Sequence, residues 1–277
     1  MTAERREAVG YLKTEHRMSE RSSCKSVRLS RTVYRYRPLA SCDQPIVDAL
    51  SDLARDHPEL GFGKFYDILR NDGHRWNHKR VHRIYCGMKL NKRRKHKRRL
   101  PARNPKPLAV PEDANRCWSI DFMSDTLDDG RRFRTFNVID DCRREGLAIE
   151  IDLNLGSQRV VRVLDRIAEV REYPDRIRVD NGPEFTSIAI ADWAEANGVE
   201  LEFIQPGRPM QNGYIERFNR TYREAVLDTY IFETLDQVRE LTNKWLDFYN
   251  RRRPHDSLGG SPPRSSCGQD LNPETPV

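Results

Sequence analysis

From Arg116 onward the apolar residues fall into a pattern that admits few architectures. CWSIDFMS, RFRTFNVIDD and EGLAIEIDL are three β-rich runs, separated by polar turns at Asp128-Asp129-Gly130 and Arg143-Arg144-Glu145. A helical stretch follows from Ser157 to Arg171, with Val160, Val163, Leu164 and Ile167 on one face. The spacing then predicts a short strand over Arg176–Val179, a helix over Glu184–Ala196 stopped by Gly198, and a strand over Val199–Ile204. Two long helices, Tyr214–Leu227 and Leu235–Arg251, complete the region. Three consecutive strands followed by alternating helices and strands describe a mixed sheet with helices on its faces, an α/β layout.

The chain upstream reads as small helices. Ser19 and Ser30 are N-cap candidates for two short helices separated by a turn around Arg28. Pro45 sits in the first turn of a helix with the stripe Ile46, Val47, Leu50, Leu53 and Ala54, ended at His57-Pro58. Phe65, Ile68 and Leu69 mark a second helix, stopped at Asn71-Asp72-Gly73. Asn77 caps a third, with Val81, Ile84, Tyr85 and Met88 facing in and Lys79, Arg80 and Arg83 facing out. This is the layout of a helix-turn-helix module, although a generic helical bundle fits the same pattern.

Between the two regions lies the densest charge in the chain. Lys92, Arg93, Arg94, Lys95, Lys97, Arg98, Arg99 and Arg103 follow one another with no acid among them. Pro101, Pro105, Pro107 and Pro111 mark a linker, and the charge marks a phosphate-binding arm; the two roles are compatible. The chain carries 49 Lys and Arg against 42 Asp and Glu, a net +7. Nucleic acid fits that excess better than a membrane surface, because no amphipathic apolar face accompanies it. No apolar run approaches the roughly 20 residues of a membrane span, and MTAERREAVG lacks a secretory core, so a soluble intracellular protein is expected. The cysteines 24, 42, 86, 117, 142 and 267 are too scattered for a disulfide framework or a four-cysteine zinc site. His74, His78, His82 and Cys86 recur every four residues, but one helical stripe cannot wrap an ion tetrahedrally. Expected boundaries are 1–40 (short helices), 41–90 (helix-turn-helix-like), 91–112 (basic linker), 113–265 (α/β core) and 266–277 (tail).

Three carboxylates stand out. Asp121 interrupts an apolar strand between Ile120 and Phe122, either exposed by alternation or placed for chemistry. Asp180 ends a strand just before a turn, where α/β sheets carry functional groups. Glu216 lies in the first turn of a helix, about 200° from Tyr214 and so away from the stripe of Tyr214, Phe218, Tyr222 and Ala225. Asn219, Arg220 and Arg223 are expected on the same face as Glu216. Each acid alone reads as an ordinary surface group; together they match what a pair of hard divalent cations requires.

Thirty-five residues separate Asp180 from Glu216, within VDNGPEF and QNGYIERFNR, with WSIDF upstream. This spacing resembles the acidic signature of insertion-sequence-three family transposases, downstream-frame product, and of retroviral integrases. DGRRFRTFNVIDD, GVELEFIQPGRPMQNGYIERFN and WLDFYNRRRPHDSLGGSPP resemble the same family, and so does HPELGFGKFYDILRNDGHRWNHKRVHRIY ahead of the core. Cys142 follows Asp140-Asp141 where that family more often has an aromatic, and Gly213 stands where Ala is common.

The resemblance implies an RNase H-like mixed sheet with flanking helices behind a small all-α helix-turn-helix region. It implies Asp121, Asp180 and Glu216 as catalytic acids holding two Mg²⁺ or Mn²⁺ ions, the first bridging both and the others binding one each. The implied reaction is nicking at an element's 3′ ends, then attack of the freed 3′-OH on another phosphodiester. DNA contacts are expected from Lys92 to Arg99 and from Gln211, Asn212, Asn219, Arg220 and Arg223. Implied partners are element and target DNA, an upstream-frame product or fusion, and further copies of the chain; no membrane is expected, and the setting is a bacterial cytoplasm. The absence of a heptad zipper after Met1 suggests the downstream frame alone. A DNA-binding protein with a silent core and a nuclease that cuts without joining are the rival readings.

Overall fold

The computed structural model describes residues 2–36, 43–92, 111, 113–182, 184–185, 187–205 and 212–265. The chain divides into two compact units, Met1–Asp48 and Ala49–Val277.

In the first unit, α1 (Thr2–Thr14), α2 (Glu20–Ser26) and α3 (Arg31–Arg35) gather around Val9, Cys24 and Leu29. Ser19 and Ser30 are the N-caps of α2 and α3, each hydroxyl accepting a backbone N–H at 3.2 Å. Between them Arg28 adopts φ +54°, which makes the turn. The Arg6 guanidinium donates to the carbonyl of Val33 at 2.8 Å and ties α1 to α3. Only Val9 of α1 belongs to the buried cluster, so this helix has almost no apolar periodicity to read.

α4 spans Gln44–Asp56. Beyond it, α5 (Phe62–Asn71) and α6 (His78–Gly87) bury Phe65, Ile68, Leu69, Val81, Ile84 and Tyr85. The Asn77 side chain caps α6, accepting from Lys79 N at 2.9 Å. Phe62 and Phe65 pack on the Tyr85 ring at 5.2 and 6.0 Å, which joins α5 to α6.

The sheet has five strands: β1 (Cys117–Thr126), β2 (Arg132–Asp140), β3 (Gly146–Asp152), β4 (Arg176–Val179) and β5 (Glu200–Phe203). Their order is β3-β2-β1-β4-β5. β1, β2 and β3 pair antiparallel, while β4 runs parallel to both β1 and β5. Strand alternation sends Trp118, Ile120, Phe136 and Val138 to one face, against α7 (Ser157–Arg171) and α8 (Ile188–Ala196). Phe133, Ile139 and Ile151 go to the other, against α9 (Gly213–Tyr222) and α10 (Leu235–Arg251). Helices on both faces of this mixed sheet make an RNase H-like fold.

Two elements differ from the expectation. The helix expected over Glu184–Ala196 starts at Ile188, because Ser187 is extended at φ −74°, ψ 145°. The helix expected over Tyr214–Leu227 is α-helical only to Tyr222, then π-helical over Arg223–Leu227. Ala225, Val226 and Leu227 of this π segment are all buried.

Candidate active site

The pairing of β1 with β4 sets Cys117 opposite Arg176 and Ser119 opposite Arg178. The same offset puts Asp121 level with Asp180, one residue past the end of β4. Two acids expected from separate parts of the sequence are thereby brought near one another, and the charge of Asp180 acts on Asp121. α9 packs against β1 and β2 and supplies Glu216, exposed in its first turn.

Asp121 is half-buried and firmly held. Phe122 N–H donates to its Oδ1 at 2.8 Å, and the Asn219 amide donates to its Oδ2 at 2.7 Å. Asn219 Oδ1 accepts in turn from Asn137 Nδ2 at 2.7 Å, and Asn137 is the β2 residue directly opposite Asp121. Burial pushes the Asp121 carboxyl up to about 6, and the charges of Asp180 and Glu216 push the same way. The two hydrogen bonds oppose that shift.

Asp180 is positioned by its own turn. Gly182 N–H donates to Asp180 Oδ1 at 2.9 Å, and a Cβ on Gly182 would stand 2.9 Å from that same oxygen. The Asn181 amide donates to the Ile204 carbonyl at 3.0 Å, fastening the turn to the end of β5. Phe185 drops into the core and stacks on Phe122 at 5.1 Å. Arg134 joins Glu184 at 2.7 Å and lies over the Phe122 ring, closing the loop onto β1 and β2.

The expected DNA contacts divide. Arg220 is exposed on α9 beside Glu216, and Lys92 is exposed at the start of the basic arm. Asn219 does not face outward; it is 7% exposed, and both ends of its amide are spent on Asp121 and Asn137. Asn212 is 4% exposed at the N-cap of α9, so it too is turned inward. Arg223 is tied to β1, donating to Asp125 Oδ2 at 3.1 Å and to the Ser124 carbonyl at 3.0 Å. Arg93, Arg94, Lys95, Lys97, Arg98, Arg99 and Gln211 lie outside the described residues.

Integrase core domain models match residues 111–209 and 197–263, and an HTH-like domain model matches residues 42–98. The "Insertion element IS407 uncharacterized 31.7 kDa protein" of Burkholderia multivorans is 40% identical over 242 residues, 87% of each chain. The "Insertion element IS476 uncharacterized 39.2 kDa protein" of Xanthomonas euvesicatoria is 38% identical over 262 residues, 94% of this chain and 75% of that one. The chain belongs to the integrase-core family of insertion-element transposases. It is an enzyme of the transposase/integrase, polynucleotidyl-transferase type, and its field is DNA transposition and integration. Among solved structures, the HTLV-2 integrase catalytic core in complex with magnesium aligns at TM-score 0.43 and 17% identity, over 55% of this chain and 95% of that one.

The sequence reads Asn219 as a DNA contact and does not mark Asn137, yet these are the two side chains that hold Asp121 in this transposase core. Asn219 carried a usable signal: it lies about 40° from Ile215 and 60° from Tyr222 around α9, at the border of the buried stripe. Asn137 carried none, because its role depends on the β1–β2 register. Among the described residues, no three His, Cys, Asp or Glu side chains are drawn together closely enough to hold an ion as they stand.

Proposed function

We propose that Asp121, Asp180 and Glu216 hold two Mg²⁺ or Mn²⁺ ions, and that this site nicks the 3′ ends of an insertion element and joins them to target DNA. The observation carrying this reading is the convergence of the three acids: Asp180 follows the end of β4, which pairs with β1, and the charges of Asp180 and Glu216 both act on Asp121. The donors fit hard cations in kind: all are carboxylate oxygens, and their crowding is a like-charge repulsion that a cation relieves. Bound ions supply activation of the attacking oxygen and stabilisation of the leaving one.

The chain's own residues do the positioning. Asn219 and the Phe122 N–H fix both oxygens of Asp121 before substrate arrives, so little reorganisation is left for the reaction itself. Gly182 keeps open the space that the Asp180 carboxylate fills. Glu216, exposed and unbranched, has the freedom to swing toward the two aspartates. Arg220 and the run from Lys92 to Arg99 bind DNA phosphates and hold the strand, adding affinity that is independent of sequence. The active form includes an upstream-frame partner or fusion and more than one copy on DNA.

The test is strand cleavage and joining on supercoiled plasmid in Mn²⁺, with wild type, Glu216→Gln and an EDTA blank side by side. Nicked and joined products from wild type alone are expected. Activity that survives in Glu216→Gln would overturn the assignment. Binding without products, from this chain and from the upstream-frame fusion alike, would leave a DNA-binding protein with a silent core.

A further inference from the structure

The YNRRRPH segment at the end of α10 takes no part in the chemistry above, yet it walls a cleft of about 230 Å³. The opposite wall is α9, which carries Glu216, and the residue after that acid, Arg217, lines the cleft. Lys64 of α5 and Arg144 of the β2–β3 turn complete the lining cations together with Arg253. Asp256 is the carboxylate among the lining residues, and it is already engaged, by Lys64 at 2.6 Å and Arg217 at 3.9 Å.

Two of the guanidinium groups are incompletely satisfied. Arg144 Nη1 and Arg253 Nη1 are buried and make no hydrogen bond among the described residues. Glu59 Oε1, also buried without a hydrogen bond among the described residues, is 3.9 Å from the Arg253 nitrogen, close enough to offset charge but beyond hydrogen-bond reach. His255 Nε2 also lacks a partner, and burial, with Arg253 and Lys64 nearby, holds the ring neutral at a value of about 3. Lys64, Arg144, Arg217 and Arg253 outnumber the carboxylate of Asp256 among the lining residues, so the cleft presents an excess of positive charge to an anion.

Arg144 adopts φ +59°, a left-handed conformation that costs a non-glycine residue energy. The central carbon of its guanidinium lies over the Tyr214 ring, 3.3 Å from the centroid. Stacking fixes the plane of the fork and leaves its in-plane N–H groups to grip an oxyanion. Lys92, where the basic arm begins, is close enough to feel the charges of Arg253 and Glu59.

We propose that this cleft binds one phosphate of the DNA strand engaged by the enzyme, held by Arg144 and Arg253, with Lys64 and Arg217 at the rim. A phosphodiester suits it because planar guanidinium forks match phosphate oxygens. A strand passing Glu216 on α9 also runs by the cleft, which Arg217 of the same helix lines. The inference rests on DNA as substrate but not on the metal mechanism.

The test is equilibrium binding of the full chain to short oligonucleotides in EDTA, with a single methylphosphonate walked along the strand. For wild type, one neutralised position should cost about tenfold in affinity, the worth of one charge-assisted hydrogen bond. Arg144→Gln should lose about the same tenfold on unmodified DNA, become indifferent to that methylphosphonate, and show a salt slope lower by about one. Arg144 projects from a turn, so its variant carries the test even where Arg253→Gln fails to fold. An undiminished methylphosphonate penalty in Arg144→Gln would overturn the proposal. So would thermal protection of wild type by inorganic pyrophosphate, absent in Arg144→Gln, with DNA affinity unchanged; the cleft would then read free phosphate. No catalysis occurs in EDTA, so failure here is distinct from failure of the strand-transfer reading.

Discussion

Two neighbouring rungs on one face of β1 and β4 carry acids in opposite circumstances. At the first, Ser119 and Arg178 surround Asp141, which is fully buried. Its carboxylate accepts from Ser119 Oγ at 2.6 Å and Arg178 Nη1 at 2.7 Å, with the Cys117 thiol at 3.4 Å. Two residues along, Asp121 faces Asp180, and the nearby charges that shift it are those of two more acids. Burial pushes both carboxyls upward. The first rung answers the burial with a cation and is structure; the second answers it only with amides, and its charge is left for something that binds.

The largest expected effect comes from the second rung. Glu216→Gln or Asp121→Asn should lower strand cleavage and joining by on the order of 10³-fold or more, as loss of a transition-state electrostatic partner does. Glu216→Gln should leave the Tm unchanged, and Asp121→Asn, which trades removal of a like charge against loss of one of two accepted hydrogen bonds, should leave it close to wild type. An activity loss that tracked unfolding would break the contrast between the rungs. The first rung should behave in the opposite way. Arg178→Met strands a buried carboxylate and should cost about 3–5 kcal/mol in denaturant unfolding, with far less effect on activity per folded molecule.

Smaller effects sharpen the comparison. Asn219→Ala removes the donor to Asp121 Oδ2 and leaves Asn137 Nδ2 unpaired, so activity should fall about 10- to 100-fold, the range for a residue that orients a metal ligand. DNA affinity should hardly change, which separates positioning from DNA contact. Gly182→Ala puts a methyl group against Asp180 Oδ1 and should reduce activity by up to about tenfold, with DNA binding intact.

Much of this was legible in the residues. Val160, Val163, Leu164 and Ile167 marked α7, and the helix over Leu235–Arg251 and the strand over Arg176–Val179 stand where their periodicity put them. Ser19, Ser30 and Asn77 cap the helices they were expected to cap. Asp121, Asp180 and Glu216 were marked by an acid in an apolar strand, an acid at a strand end, and spacing. What escaped depended on pairing across the sheet or on a broken period. The link from Asn137 through Asn219 to Asp121 exists only once β1 and β2 are in register. The π turn after Tyr222 is not visible in the pattern, and Arg223, at the regular end of α9, is tied to β1 rather than free, a contact that periodicity does not show. α1 buries too little to announce itself.

The most direct measurement of the central claim is Mn²⁺ binding to the folded chain, read by electron paramagnetic resonance, for wild type and Asp121→Asn. The account predicts that wild type takes up ions that Asp121→Asn leaves free in solution, at equal Tm. Equal uptake by the two proteins would contradict it, because the acids crowded on the second rung would then not be the place where the ions sit.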